Sequence, residues 1–121
     1  MKLDSKIHFL GKRNDVFQIM PNCDVFLLPS LIEGLPGVIL EAFVTKLPVV
    51  AYNVGGVKEV VINKKTGFLV PKDDELAFIT NLKNALSQDN SYLKNSAFEL
   101  VTSHYSNESI AKKFIKFYEN L

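Results

Sequence analysis

The sequence predicts an α/β fold, a Rossmann-like parallel sheet with flanking helices, and three features carry that prediction. Apolar runs of four or five residues recur between Pro, Gly and Ser, too short and too continuous for a helical period: Asp24 to Leu28, Val49 to Tyr52 and Gly67 to Val70. Between and after them lie segments apolar at helical spacing, joined by short connections, the pattern of strands covered by helices. Finally, 121 residues with 47% hydrophobic content suffice for one core and are too few for two domains.

In chain order, Ile7-His8-Phe9-Leu10 is an apolar run closed by Gly11 and reads as a strand. Asn14 is placed to cap a helix whose Val16, Phe17, Ile19 and Met20 face the core. His8 reads as a packed or edge histidine, since no second ligand stands near it at metal-binding spacing. Cys23, directly before the strand Asp24 to Leu28, has no partner for a disulfide and is expected to be buried.

A helix is expected from Gly37 or Val38 to about Lys46, before Pro48. The strand Val49 to Tyr52, a helix Val57 to Asn63 and the strand Gly67 to Val70 follow, and Lys64-Lys65 read as solvated turn charges. Asp73-Asp74-Glu75 has the look of a metal-binding acidic cluster. Standing before Leu76, Ile79, Leu82 and Leu86, however, they read as the N-terminus of a helix, favoured by capping and by the dipole. Two more helices are expected, from Ser91 with Leu93, Ala97, Leu100 and Val101 inward, and from Ser106 with Phe114, Phe117 and Tyr118 as a core stripe.

A formal net charge of +1 gives no electrostatic reason to expect nucleic acid as a partner. The N-terminus lacks a signal-peptide pattern and no apolar stretch is long enough to span a membrane, so a cytoplasmic protein is expected, in keeping with the single cysteine.

The stretch most informative about function runs from Leu27 to Ala42. Ser30 and Glu33 have capping-box spacing, but Gly34, Pro36 and Gly37 would fall in the first two turns of such a helix, so Glu33 belongs to a loop. A strand, a Gly-rich turn and a helix N-terminus with free N–H groups form an anion site suited to a diphosphate. Glu33 and Glu41 only accept hydrogen bonds when ionised, so beside a phosphate they would bind hydroxyls. A nucleotide sugar, with hydroxyls on both sides of a diphosphate, fits that pattern. The alternative is a solvated loop charge at Glu33 and a helix-dipole complement at Glu41.

Glu33 and Glu41, with seven residues between them inside Pro-Ser-Leu-Ile-Glu-Gly-Leu-Pro-Gly-Val-Ile-Leu-Glu-Ala, resemble the E-x7-E signature of retaining GT-B glycosyltransferases (family 4, glycosyl transferases group 1). Pro48-Val49-Val50-Ala51, Val54-Gly55-Gly56-Val57-Lys58-Glu59-Val60 and Thr66-Gly67-Phe68-Leu69-Val70-Pro71 resemble the family's next blocks, in order. The resemblance implies the donor-binding part of an enzyme that moves a sugar, with retention, from a nucleotide sugar to a glycan or lipid-linked acceptor. A UDP-sugar is favoured over a GDP-sugar, and neither a metal nor another cofactor is expected. It implies Glu33 as the catalytic carboxylate beside the donor sugar and Glu41 on the ribose hydroxyls. Backbone N–H groups of Gly34, Leu35, Gly37 and Val38 would face sugar and diphosphate, and Lys12 and Arg13 would lie where the nucleobase is held.

Three departures stand out. Pro36 has no N–H to offer, and Lys46 occupies a position where Gly usually ends the helix. The chain also resembles only part of the family's C-terminal domain, residues 1–121 forming a partial nucleotide-sugar-binding domain. Its first two strands and the acceptor domain are absent. In a sheet of order 3-2-1-4-5-6 the absent strands would lie between Ile7 to Leu10 and Asp24 to Leu28. The chain alone is therefore expected to be inactive and to self-associate through an open sheet edge, unless Ile7 to Leu10 pairs directly beside Asp24 to Leu28 in a four-stranded sheet, whereas a longer enzyme would be cytoplasmic or peripheral at the inner face of the membrane. A noncatalytic fragment or interaction module that kept the fold is the alternative. A dehydrogenase-like nucleotide binder is disfavoured, since no G-x-G-x-x-G follows a first strand and Gly55-Gly56 alone is too weak a signal.

Overall fold

Three of the apolar runs become the strands of one sheet in the computed structural model, which describes residues 3–104. The strands are β1 (Phe26–Leu28), β2 (Val49–Tyr52) and β3 (Phe68–Val70), all parallel, in the order β1-β2-β3. Phe26 pairs with Val49 and Leu28 with Ala51, while Val50 pairs with Phe68 and Tyr52 with Val70. All four residues of β2 are buried, which requires cover on both faces because successive side chains alternate. The fold class expected from the sequence is the one observed.

The helices are α1 (Val16–Ile19), which continues into a 3₁₀ turn at Met20–Asn22, α2 (Gly37–Val44), α3 (Val57–Val60), α4 (Glu75–Ser87) and α5 (Ser91–His104). The core gathers Phe43 and Ile39 of α2, the β2 side chains, Val57, Val60 and Val61, Val70, and Val101 of α5. Helix α2 packs on β2 and α5, and α4 packs on β2 and β3. Thr66, 1% exposed, is a polar residue buried in this core. Its hydroxyl donates to the Val60 carbonyl at 2.7 Å and accepts from the Ile62 N–H at 2.8 Å, so no polar atom is buried unpaired there.

Helix α2 ends as its sequence suggested. Lys46 adopts the left-handed conformation, φ 57°, with the Leu47 N–H bonded to the Ala42 carbonyl and the Lys46 N–H to the Phe43 carbonyl. A non-glycine residue there costs roughly 1–2 kcal/mol. The Lys46 ammonium lies 5.0 Å from the centre of the Phe98 ring, a contact between α2 and α5 that offsets part of that cost. The acidic run before α4 is a cap: the Asp74 carboxylate accepts from the Ala77 N–H at 3.0 Å.

Several expectations are corrected. Ile7 to Leu10 is not a strand: it follows a turn at Leu3–Ile7 and is exposed, Phe9 at 97%. A strand needs a neighbour to take its backbone bonds, and β1 leaves its outer edge unpaired among the described residues. Asp15, not Asn14, occupies the N-cap of α1, and no side chain caps it. Helix α3 ends at Val60 rather than Asn63, and β1 starts at Phe26 rather than Asp24. Cys23 is exposed, because it closes the turn leading into an edge strand. Which face of α4 is buried, left open by the sequence, is settled by Phe78 and Ala85, while Leu76, Ile79 and Leu86 face outward. The expected helix from Ser106, with Phe114, Phe117 and Tyr118, lies outside the described residues.

Candidate functional site

In a parallel sheet the loops that leave the carboxyl ends of the strands form the ligand-binding edge. Here β1 ends at Leu28 and the chain crosses residues 29–36 before entering α2, while β2 ends at Tyr52 and residues 53–56 lead into α3. The two loops touch. The Gly56 N–H donates to the Gly34 carbonyl at 3.0 Å, and Gly55, φ 50°, lies against the backbone of Glu33. A Cβ on Gly55 would overlap the Glu33 carbonyl, with its carbon 2.8 Å away, and one on Gly56 would sit 2.8 Å from the Gly34 oxygen. Glycine is required at both positions by close approach, and at Gly55 by φ as well.

Gly34 and Gly37 differ in this respect. Neither has positive φ, and a Cβ at either would meet nothing within 4 Å. The N–H groups of Gly34, Leu35, Gly37 and Val38 donate to no group among the described residues, whereas the Ile39 N–H is already taken by the Pro36 carbonyl at 3.1 Å. Pro36 is the N-cap residue of α2 and supplies no side-chain cap. Four uncommitted amides thus lie on one loop and one helix start, where the helix dipole adds positive potential.

The carboxylates flank these amides in sequence. Glu33 is half-buried on the loop, and Glu41 is the fifth residue of α2 and 7% exposed. The loop itself is an open wall: Ile32 is 90% and Leu35 52% exposed. Tyr52 closes the carboxyl end of β2, its ring 4.8 Å from that of Phe78. Burial, and then Glu75, Asp73 and Asp74, push its hydroxyl above the usual tyrosine range, so it remains a neutral hydroxyl at physiological pH.

Arg13 is placed apart from this loop. Its guanidinium forms a bidentate pair with Asp15, both bonds 2.7 Å, which holds the Asp15 carboxyl below its ordinary range. It borders a depression of about 290 Å³ together with Cys23, Val25, Phe26 and Leu47, residues at the amino ends of β1 and β2. A second depression, about 330 Å³, lies between Phe68, Asn84, Asn90 and Tyr92. Neither includes Glu33 or Glu41. The structure carries Glu33, Gly34, Leu35, Gly37, Val38 and Glu41 on one continuous loop and helix, while Arg13 lies on a separate segment, paired with Asp15. The sequence reading missed Gly55 and Gly56 as parts of the site. The adjacent glycines were the available signal, but nothing local says which loop they approach.

The chain is 44% identical over 82 residues to UDP-Gal:alpha-D-GlcNAc-diphosphoundecaprenol alpha-1,3-galactosyltransferase of Escherichia coli, covering 68% of this chain and 21% of that protein. It is 28% identical over 118 residues to N,N'-diacetylbacillosaminyl-diphospho-undecaprenol alpha-1,3-N-acetylgalactosaminyltransferase of Campylobacter jejuni, covering 95% and 31%. Among solved structures, that of Anabaena Alr3699/HepE in complex with UDP-glucose superimposes with a TM-score of 0.75 at 30% identity, over 98% of this chain and 34% of that one. The chain thus spans a third or less of the length of these curated relatives. The family model for glycosyl transferases group 1 matches residues 1–88, well over half of the 121, and the chain belongs to that family.

Proposed function

We propose that this chain is the donor-binding part of a retaining GT-B glycosyltransferase, a partial C-terminal domain that holds a UDP-sugar while the sugar passes to a glycan or lipid-linked acceptor. The observation that carries the reading is the set of four uncommitted amides at Gly34, Leu35, Gly37 and Val38, in front of two glycines that neither φ nor packing requires. Glycine without an internal reason suits close approach of a ligand to backbone. The diphosphate would lie on these amides, Glu33 would accept from hydroxyls of the donor sugar, and Glu41 from those of the ribose. The amides and the α2 dipole would stabilise the charge that builds on the leaving nucleoside diphosphate. Arg13, already paired with Asp15, would contribute near the base through backbone contacts.

The UDP-sugar is supported by the name of the Escherichia coli relative and by UDP-glucose in the Anabaena structure, and the lipid-linked acceptor by the diphosphoundecaprenol substrate named for that same relative. Among the described residues no helix is long and apolar enough to cross a membrane.

Gly37→Ala tests the proposal. The first residue of a helix accepts Ala readily, and the added methyl meets no protein atom, so stability should hold or rise by roughly 0.5–1 kcal/mol. In the enzyme carrying this chain the same methyl should raise the KM for the donor roughly tenfold or more. Unchanged stability with unchanged donor KM would show that no ligand occupies the space in front of Gly37.

A further inference from the structure

We propose that Gly55 and Gly56 are positioning residues for the donor, fixing the directions in which the Gly34 and Leu35 N–H groups point; this rests on the donor-site reading above. No peptide bond among the described residues is cis, and in a trans peptide the C=O and the next N–H point in opposite directions. The Gly34 carbonyl is held by the Gly56 N–H at 3.0 Å, so the Leu35 N–H of the same peptide plane is directed away from the Gly55-Gly56 turn. The Glu33 carbonyl is packed so closely on Gly55 that a Cβ there would overlap it, so the Gly34 N–H of that plane is likewise turned away.

Two consecutive peptide planes of the loop are thus set from a different βα connection, about twenty residues later in the chain. Donors that already point outward need no reorientation when the diphosphate arrives, which is the condition for strong backbone stabilisation of an anion. The local sequence of the loop cannot supply this by itself. Gly34 has no Cβ to restrict its backbone, and residues 29–36 form no regular element. The Gly56 hydrogen bond and the Gly55 contact replace that missing restraint.

The test compares Gly56→Ala with Val101→Ala, a buried α5 position that belongs to neither loop, in the enzyme carrying this chain. Both variants lose stability, but only Gly56→Ala is expected to weaken UDP binding, by roughly tenfold or more, and to raise the donor KM in proportion. Equal UDP affinity in Gly56→Ala and Val101→Ala would overturn the positioning role while leaving the donor site intact. Wild-type enzyme that binds no UDP would instead overturn the donor-site reading. A third readout needs neither ligand nor variant. Hydrogen exchange of the Gly56 N–H in the wild-type chain should be slowed well below the random-coil rate, and exchange at the coil rate would show that the contact between the loops is not held.

Discussion

Phe43→Ala is expected to destabilise the chain by about 3–5 kcal/mol and to lower Tm by roughly 10–20 °C. Phe43 is fully buried in α2, in the core with the β2 side chains, Val57 and Val101, and α2 is held on one side by β2 and on the other by α5. Removing the ring takes away its burial and leaves a cavity that helices tied at both flanks can close only partly. Since a domain of this size is stable by only about 5–15 kcal/mol, the loss is a large share of the whole. The consequence reaches the site, because the helix that loses its anchor also carries Gly37, Val38 and Glu41. Urea unfolding monitored by circular dichroism measures it. A loss below about 1 kcal/mol would mean that α2 is not fixed to the sheet as described.

The second large effect is at the carboxylates. Glu33→Gln and Glu41→Gln keep shape and remove charge, and each should cost roughly 1.5–3 kcal/mol in the enzyme carrying this chain, about 10- to 150-fold. The two should differ in kind. Glu41, 7% exposed on α2, is assigned to the ribose, which does not react, so its loss should appear mainly as a higher donor KM. Glu33, on the loop beside the proposed sugar position, should lower kcat more than binding. Steady-state kinetics with the donor varied separates them, and wild-type constants in both variants would remove the carboxylates from the site.

Much of the fold was legible because its signals are local. The runs at Phe26–Leu28, Val49–Tyr52 and Phe68–Val70 have no helical period, Asp74 stands at the N-cap of α4, and Gly34, Pro36 and Gly37 delay α2 to where it begins. Even the strained end of α2 at Lys46 could be anticipated from a lysine standing where glycine usually does. What could not be read depends on partners distant in sequence. Ile7 to Leu10 has strand composition, yet among the described residues it pairs with no strand, not even with the open edge of β1, and composition alone does not set pairing. Helix α4 carries two apolar stripes, and only the position of β2 and β3 selects Phe78 and Ala85 over Leu76, Ile79 and Leu86.

For the candidate site the division is similar. Glu33, Glu41 and the amides between them lie in one continuous stretch, so their spacing could be read directly. The part played by Gly55 and Gly56 is a contact between two βα loops, visible only once β1 and β2 are adjacent and in register. Arg13 shows the opposite limit, since its place in the sequence said nothing of the Asp15 carboxylate that holds it.

The central claim is that the uncommitted amides of the β1–α2 loop form the cradle for a nucleoside diphosphate, and titrating the isotope-labelled chain with UDP under NMR observation tests it most directly. Binding should be weak, because one wall of the site is open. The largest amide shifts should nevertheless fall on Gly34, Leu35, Gly37 and Val38. Shifts confined to other surfaces, such as the depression between Phe68 and Tyr92, or none at these four amides at any UDP concentration, would contradict it.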